Sequence, residues 1–185
     1  MGSDLAVGPL GRYLEAHLDG FRGLRAVRKF SDGQSNPTYL LEADSGRYVL
    51  RRKPGGALLK SAHAVDREFR VLRALEGSDV PVARTLHLCA DEDVIGAMFY
   101  VMEFVQGRVF WNPVLPELEA GERAQVYDAM NATLAAIHSV DLEAAGLSDF
   151  GRPGGYYARQ FATWQRQYRA TETGEMPEME LIMTW

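Results

Sequence analysis

Hydrophobic spacing changes character near residue 107, with strand-like periods before it and helical periods after it. Leu10, Tyr13, Leu14 and Leu18 follow Pro9 at helical intervals, predicting an amphipathic opening helix that ends near Gly20. From Leu24 the period shortens toward two. LRAVRKF, TYLLEA and RYVLRR read as three strands, joined by DGQSNP and by the tight turn Asp44-Ser45-Gly46. Pro54-Gly55-Gly56 ends the third strand, and Ser61 is a candidate cap for a helix with Val65, Phe69 and Leu72 on one face, finishing near Gly77. A fourth strand is expected in VPVARTLHLC. A fifth follows in MFYVMEFV, apolar enough to be buried on both faces. The prediction is an α+β layer: a five-stranded antiparallel sheet with one packed helix.

Beyond Gln106-Gly107 the spacing is helical. Val126, Met130, Leu134 and Ile137 form a stripe between about Glu122 and Ser139. A Gly/Pro-rich loop, Gly151 to Gly155, precedes a helix carrying Phe161, Trp164 and Tyr168, and MPEMELIMTW begins a third. Two regions are therefore expected, 1–106 and 107–185, the second an incomplete set of helices.

Composition narrows the function. With 46% hydrophobic residues the 185-residue chain can bury a genuine core, which argues against disorder. A formal charge of −5, with arginines spread among acidic residues, leaves no basic stripe for nucleic acid. The one cysteine, Cys89, offers neither a disulfide nor a zinc cluster and reads as a small buried hydrophobe, which fits a reducing compartment. No stretch approaches the roughly 18 apolar residues of a membrane helix, and the start lacks a signal-peptide pattern, so a soluble cytoplasmic protein is expected. His17, His63, His87 and His138 are scattered without metal-ligand spacing, and no metal is assigned to them.

The chemistry concentrates between residues 28 and 68. A turn of small residues lets backbone amides approach phosphates without an intervening Cβ, and Gly33, Gln34, Ser35 and Asn36 suit that role. Taken alone, DGQSNP is equally an ordinary hairpin turn. Val49 and Arg51 share a face of the third strand, so the Arg51 cation can point at the same phosphates, although paired arginines at a strand end also read as a solvated edge. Glu68 lies three residues after Val65 and four before Leu72, at the border of the apolar face, where a helix laid on the sheet would bring it to Arg51. A surface glutamate is the alternative there. The segment Glu103-Phe104-Val105 closes a buried strand just before a polar turn.

In order and spacing, FSDGQSNPTYLLE, YVLRRKP, SAHAVDREFRVLRAL, VPVARTL, YVMEFVQGRVFW, LAAIHSVDL and GRPGGYYARQFATWQRQY resemble the aminoglycoside phosphotransferase and choline kinase-like family. The likeness is greatest to the kinase-like domains associated with acyl-CoA dehydrogenases, and it covers nearly all of the chain. The resemblance implies a protein-kinase-like fold, with a nucleotide-binding N-lobe over 1–106 and part of a helical C-lobe over 107–185. It implies ATP as the nucleotide, a phosphate loop on Ser31 to Asn36, the nucleotide-binding cation on Arg51, its helix carboxylate on Glu68 and an adenine-binding hinge on Glu103 to Val105. The acceptor would be a hydroxyl on a small molecule, for the dehydrogenase-linked members a hydroxyacyl-CoA.

The sequence departs from the family at two points. The strand cation is Arg where many kinases have Lys, which changes its contact geometry. The family's His-Gly-Asp catalytic loop and its metal-binding Asp segment do not occur in these residues and are expected after about residue 185, so Mg²⁺ is expected only together with the remaining C-lobe. The reading is the ATP-binding portion of a small-molecule phosphotransferase, not competent by itself. Two alternatives stand beside it: a non-catalytic nucleotide-binding or interaction module that self-associates through exposed C-lobe helices, and a fragment without independent function.

Overall fold

The structure is a computed structural model that describes residues 5–31, 36–54, 64–151 and 154–184. These fall into two compact units, 1–145 and 146–185.

The first unit is organised by five antiparallel strands, β1 (Leu24–Lys29), β2 (Thr38–Ala43), β3 (Gly46–Arg52), β4 (Thr85–Cys89) and β5 (Phe99–Glu103). Their spatial order is β1-β2-β3-β5-β4, so β5 inserts between β3 and β4. Helix α1 (Val7–His17) precedes the sheet and α2 (Val65–Leu75) lies between β3 and β4 in sequence. Because strand side chains alternate, each strand offers one set to α1 and the other to α2. On the α1 side Leu10 and Leu14 pack with Tyr39, Leu41, Leu50, Phe99 and Val101 in the main core. On the α2 side the Phe69 ring meets Tyr100 edge-on at 6.0 Å between centroids. The sequence expects one helix packed on the sheet; α1 adds a second on the opposite face, because its apolar stripe matches the inward set of β2, β3 and β5. Gly23 links α1 to β1 with φ of +62°, and a Cβ there would run into the Asp44 carboxylate, so the turn needs glycine.

Two further contacts fix the outer parts of the sheet. Glu76, just past α2, accepts from the Thr85 backbone N–H at 2.6 Å and from its hydroxyl at 2.5 Å, tying the helix end to β4. That hydrogen bonding holds the Glu76 carboxyl below its usual pKa. The Tyr13 hydroxyl shares a 3.0 Å hydrogen bond with His87 Nε2, joining α1 to β4. Burial first, and the neighbouring His17 second, push His87 below the ordinary imidazole value.

Helix α3 (Ala120–His138) completes this unit. Glu119 and Glu122 form a reciprocal capping box at its start, a local signal that acts without tertiary support. Its predicted stripe forms on one helix, yet Met130, Leu134 and Ile137 stay about half exposed. The second unit is a pair of helices, α4 (Tyr156–Thr171) and α5 (Pro177–Thr184), joined by an ion pair from Arg169 to Glu180, while Arg169 also meets Glu172 at the end of its own helix. Ser61, the expected cap of α2, lies outside the described residues; Ala64 occupies the cap position and makes no side-chain cap bond.

Candidate functional site

Strand register assembles the site. Thr38 of β2 stands opposite Arg51 of β3, and Arg51 stands opposite Tyr100 of β5. By the alternation of side chains all three project to the face covered by α2, where Glu68 enters from the first turn of the helix. The Arg51 guanidinium then takes the Glu68 carboxylate side-on, Nε donating to Oε2 at 2.6 Å and Nη2 to Oε1 at 3.4 Å. Arg51 Nη1 donates to the Thr38 hydroxyl at 3.1 Å, and that hydroxyl donates to the Asn36 carbonyl at 3.1 Å. The Asn36 side-chain amide donates to Glu68 Oε1 at 2.7 Å. The four residues close a ring of hydrogen bonds that links Asn36, two strands and the helix.

Tyr100 approaches the same carboxylate, its hydroxyl 3.3 Å from Glu68 Oε2. Burial, reinforced by the Glu68 charge, raises the Tyr100 phenol far above its usual pKa, so it stays a neutral donor at any working pH. A guanidinium carries five N–H donors. The contacts with Glu68 and Thr38 occupy three of Arg51's, and the remaining two are suited to a phosphate oxygen. The Arg51 and Glu68 side chains are each about a third exposed, 30% and 34%, so the pair is screened from bulk solvent yet reachable by a ligand.

The expected hinge begins at the last residue of β5. Glu103 lies opposite Tyr48, three positions along from Tyr100, or about 10 Å at 3.3 Å per residue. Its backbone N–H donates to the Arg84 carbonyl at 3.0 Å and its carboxylate accepts from the Arg84 N–H at 2.9 Å. The Arg47 guanidinium covers the Phe104 ring at 4.3 Å, which fixes the segment's outer side, and Val105 is largely exposed.

Of the residues singled out from the sequence, Asn36, Arg51 and Glu68 come together in direct contact. Ser31 lies at the entry of the turn, Glu103, Phe104 and Val105 lie along the strand end, and Gly33, Gln34 and Ser35 fall outside the described residues. The Asn36 side chain is turned onto Glu68, because residue 36 is 4% exposed and its amide needs an acceptor. Thr38 and Tyr100 were missed. Strand alternation puts both on the Arg51 face, but only register shows that they stand opposite Arg51. Among the described residues no cluster of three or more His, Cys, Asp or Glu could hold a metal ion, and no helix is long and apolar enough to cross a membrane.

The phosphotransferase enzyme family profile matches residues 26–185. Acyl-CoA dehydrogenase family member 10 of Mus musculus is 46% identical over 177 residues, which is 93% of this chain and 17% of that protein. Acyl-CoA dehydrogenase family member 11 of Gallus gallus is 47% identical over 182 residues, 96% of this chain and 23% of that protein. The chain thus spans about a fifth of the length of these curated relatives. Among solved structures, a "putative aminoglycoside phosphotransferase" from Ralstonia eutropha JMP134 superposes with a TM-score of 0.79 at 45% identity, covering 98% of this chain and 52% of that one. The antiparallel sheet and its helices share the kinase-like fold of that neighbour.

Proposed function

The chain belongs to the phosphotransferase enzyme family, and from that membership we propose that these 185 residues supply the ATP-binding part of a small-molecule phosphotransferase. The observation that carries the reading is the Arg51–Glu68 pair at 2.6 Å, set on the sheet face and bonded to Asn36. In this reading Arg51 grips phosphate oxygens with the N–H groups that Glu68 and Thr38 leave over, and Glu68 keeps the guanidinium from swinging to solvent. Backbone amides of the turn from Ser31 to Asn36, including Gly33, Gln34 and Ser35, complete the phosphate grip, and the Glu103–Val105 segment receives adenine. ATP, when bound, brings the phosphoryl group to be transferred. In-line transfer also calls for metal-holding carboxylates and an Asp that orients the acceptor, and the His-Gly-Asp segment that provides such an Asp in this family does not occur in these residues. Binding without transfer is therefore assigned to this chain alone.

The acceptor we assign is a hydroxyl on a small molecule. The acyl-CoA dehydrogenase names of the relatives favour a hydroxyacyl-CoA over an aminoglycoside. Titration calorimetry with ATP tests the binding, and an ATP-consumption assay on the same pure chain tests the absence of chemistry. Turnover that disappears in Glu68→Ala would overturn the second statement, and no heat with millimolar ATP would overturn the first.

The half-exposed stripe of Met130, Leu134 and Ile137 favours a second reading, in which the chain acts as an interaction module and associates with itself through its helices. Light scattering after size exclusion separates the two, since a strictly monomeric, cooperatively folding chain counts against association.

A further inference from the structure

Asn36 lies in the stretch whose backbone amides sequence reasoning assigns to phosphate contact, and the geometry of its side chain points to a further task. Its carbonyl accepts from Thr38 at 3.1 Å and its amide donates to Glu68 at 2.7 Å, so both ends of the residue are engaged inside the sheet–helix seam. The chain reverses just outside it: Phe30 N–H donates to the Thr38 carbonyl at 3.0 Å and closes the loop that contains the turn. Whatever path residues 32–35 take, the exit of the turn is anchored through Asn36 to α2. The same carboxylate oxygen, Glu68 Oε1, also receives Arg51 Nη2 at 3.4 Å. Asn36, the Arg51 cation and the helix are coupled through one carboxylate.

We propose that Asn36 is a positioning residue for the phosphate end of the site, its side chain tying the backbone that leads into β2 to the Arg51–Glu68 pair so that the guanidinium presents to a nucleoside polyphosphate in one fixed orientation. The proposal rests on the nucleotide reading above and adds to it a side chain that acts through Glu68 rather than by touching the ligand. Its signature is electrostatic. Asn36→Asp replaces the donor by a carboxylate at hydrogen-bond distance from Glu68, and two carboxylates so close cannot both stay ionised without strain. Lowering the pH lets the pair share a proton, which restores a donor between them.

The experiment compares ATP with adenosine, since only the phosphates feel the ring. Affinities are measured for the unsubstituted chain, Asn36→Asp and Asn36→Ala at about pH 8 and about pH 5.5, each variant referred to the unsubstituted chain at the same pH. At the higher pH, Asn36→Asp is expected to bind ATP about tenfold more weakly, with adenosine unchanged, and to recover most of that loss at the lower pH. Asn36→Ala is expected to lose ATP affinity to a similar degree at both pH values. Melting temperatures without ligand give a second reading of the contact, with Asn36→Asp depressed at the higher pH and recovering at the lower. An Asn36→Asp chain that matches the unsubstituted one at the higher pH overturns the proposal. So does a loss shared equally by adenosine, or one that shows no recovery on acidification. If the unsubstituted chain itself shows no preference for ATP over adenosine, the nucleotide reading fails instead, and the melting temperatures alone decide whether the ring exists.

Discussion

Removing the Glu68 carboxylate gives a quantitative prediction, because Arg51, Asn36 and Tyr100 all point donors at it. Exposed ion pairs contribute about 0.2–1 kcal/mol, while stripping one partner from a buried pair costs about 3–5 kcal/mol. With both side chains about a third exposed, the Arg51 pair falls between these limits, at about 1–2 kcal/mol. The Asn36 amide, on a residue 4% exposed, loses its 2.7 Å acceptor, which adds about 1–2 kcal/mol. Tyr100, at 3.3 Å, is too distant to add more than a few tenths. Glu68→Ala should therefore destabilise the chain by about 2–4 kcal/mol, while Glu68→Gln, which keeps an acceptor for Asn36, should cost only about 1–2 kcal/mol. Urea unfolding followed by far-UV circular dichroism reads this directly. With a slope near 2 kcal/mol per molar urea, the Ala midpoint should drop by about 1–2 M and the Gln midpoint by about half as much. A Glu68→Ala midpoint within about 0.3 M of the unsubstituted chain, or equal midpoints for Ala and Gln, would refute the ring as a stabilising unit.

Other outcomes follow from contacts elsewhere in the first unit. Glu76→Ala leaves the buried Thr85 N–H and hydroxyl without their acceptor and should cost about 1–3 kcal/mol at neutral pH. Because the folded Glu76 pKa lies below its unfolded value, this contribution is present above the ordinary carboxylate range and fades as pH falls through the depressed value, so variant and parent should converge in acid. His87 is likewise depressed on folding, so its neutral form favours the folded state. Stability should fall as pH drops below about 6.5, and His87→Gln should flatten that part of the profile. Leu14→Ala, at a fully buried core position, should cost about 2–5 kcal/mol by thermal or chemical unfolding. Cys89, 1% exposed, should react with a thiol reagent only as fast as the sheet opens, and immediate labelling in native buffer would contradict its placement.

Much of the architecture can be read along the chain. The five strands fall on the predicted segments, β3 starting one residue early at Gly46, because their alternating or continuous apolar runs are bounded by Gly, Pro and Asp turns. The helices follow the same logic, and α3 even carries its own capping box. Arg51 and Glu68 could be paired in advance because both arguments are local: one is a strand period of two, the other a helix period near 3.6. Asn36, by contrast, reads as a turn residue at every local level. Its inward amide depends on a carboxylate that is 32 residues away. Tyr100 and Thr38 are hidden for the same reason, each looking like one more β-favouring side chain until its partner strand is known.

What the amino-acid order settles here is periodicity: which segments are strands or helices, which face of each is apolar, and that a cation and a carboxylate stand on facing surfaces. What folding alone settles is register and strand order. Inserting β5 between β3 and β4 sets Tyr100 opposite Arg51, and pairing β2 with β3 sets Thr38 there too. A one-residue slip in either pairing would keep every local preference and turn those side chains to the other face. The ring around Glu68 exists because non-local burial of the apolar sets of both sheet faces permits only one register, and four polar groups are thereby brought within hydrogen-bonding distance.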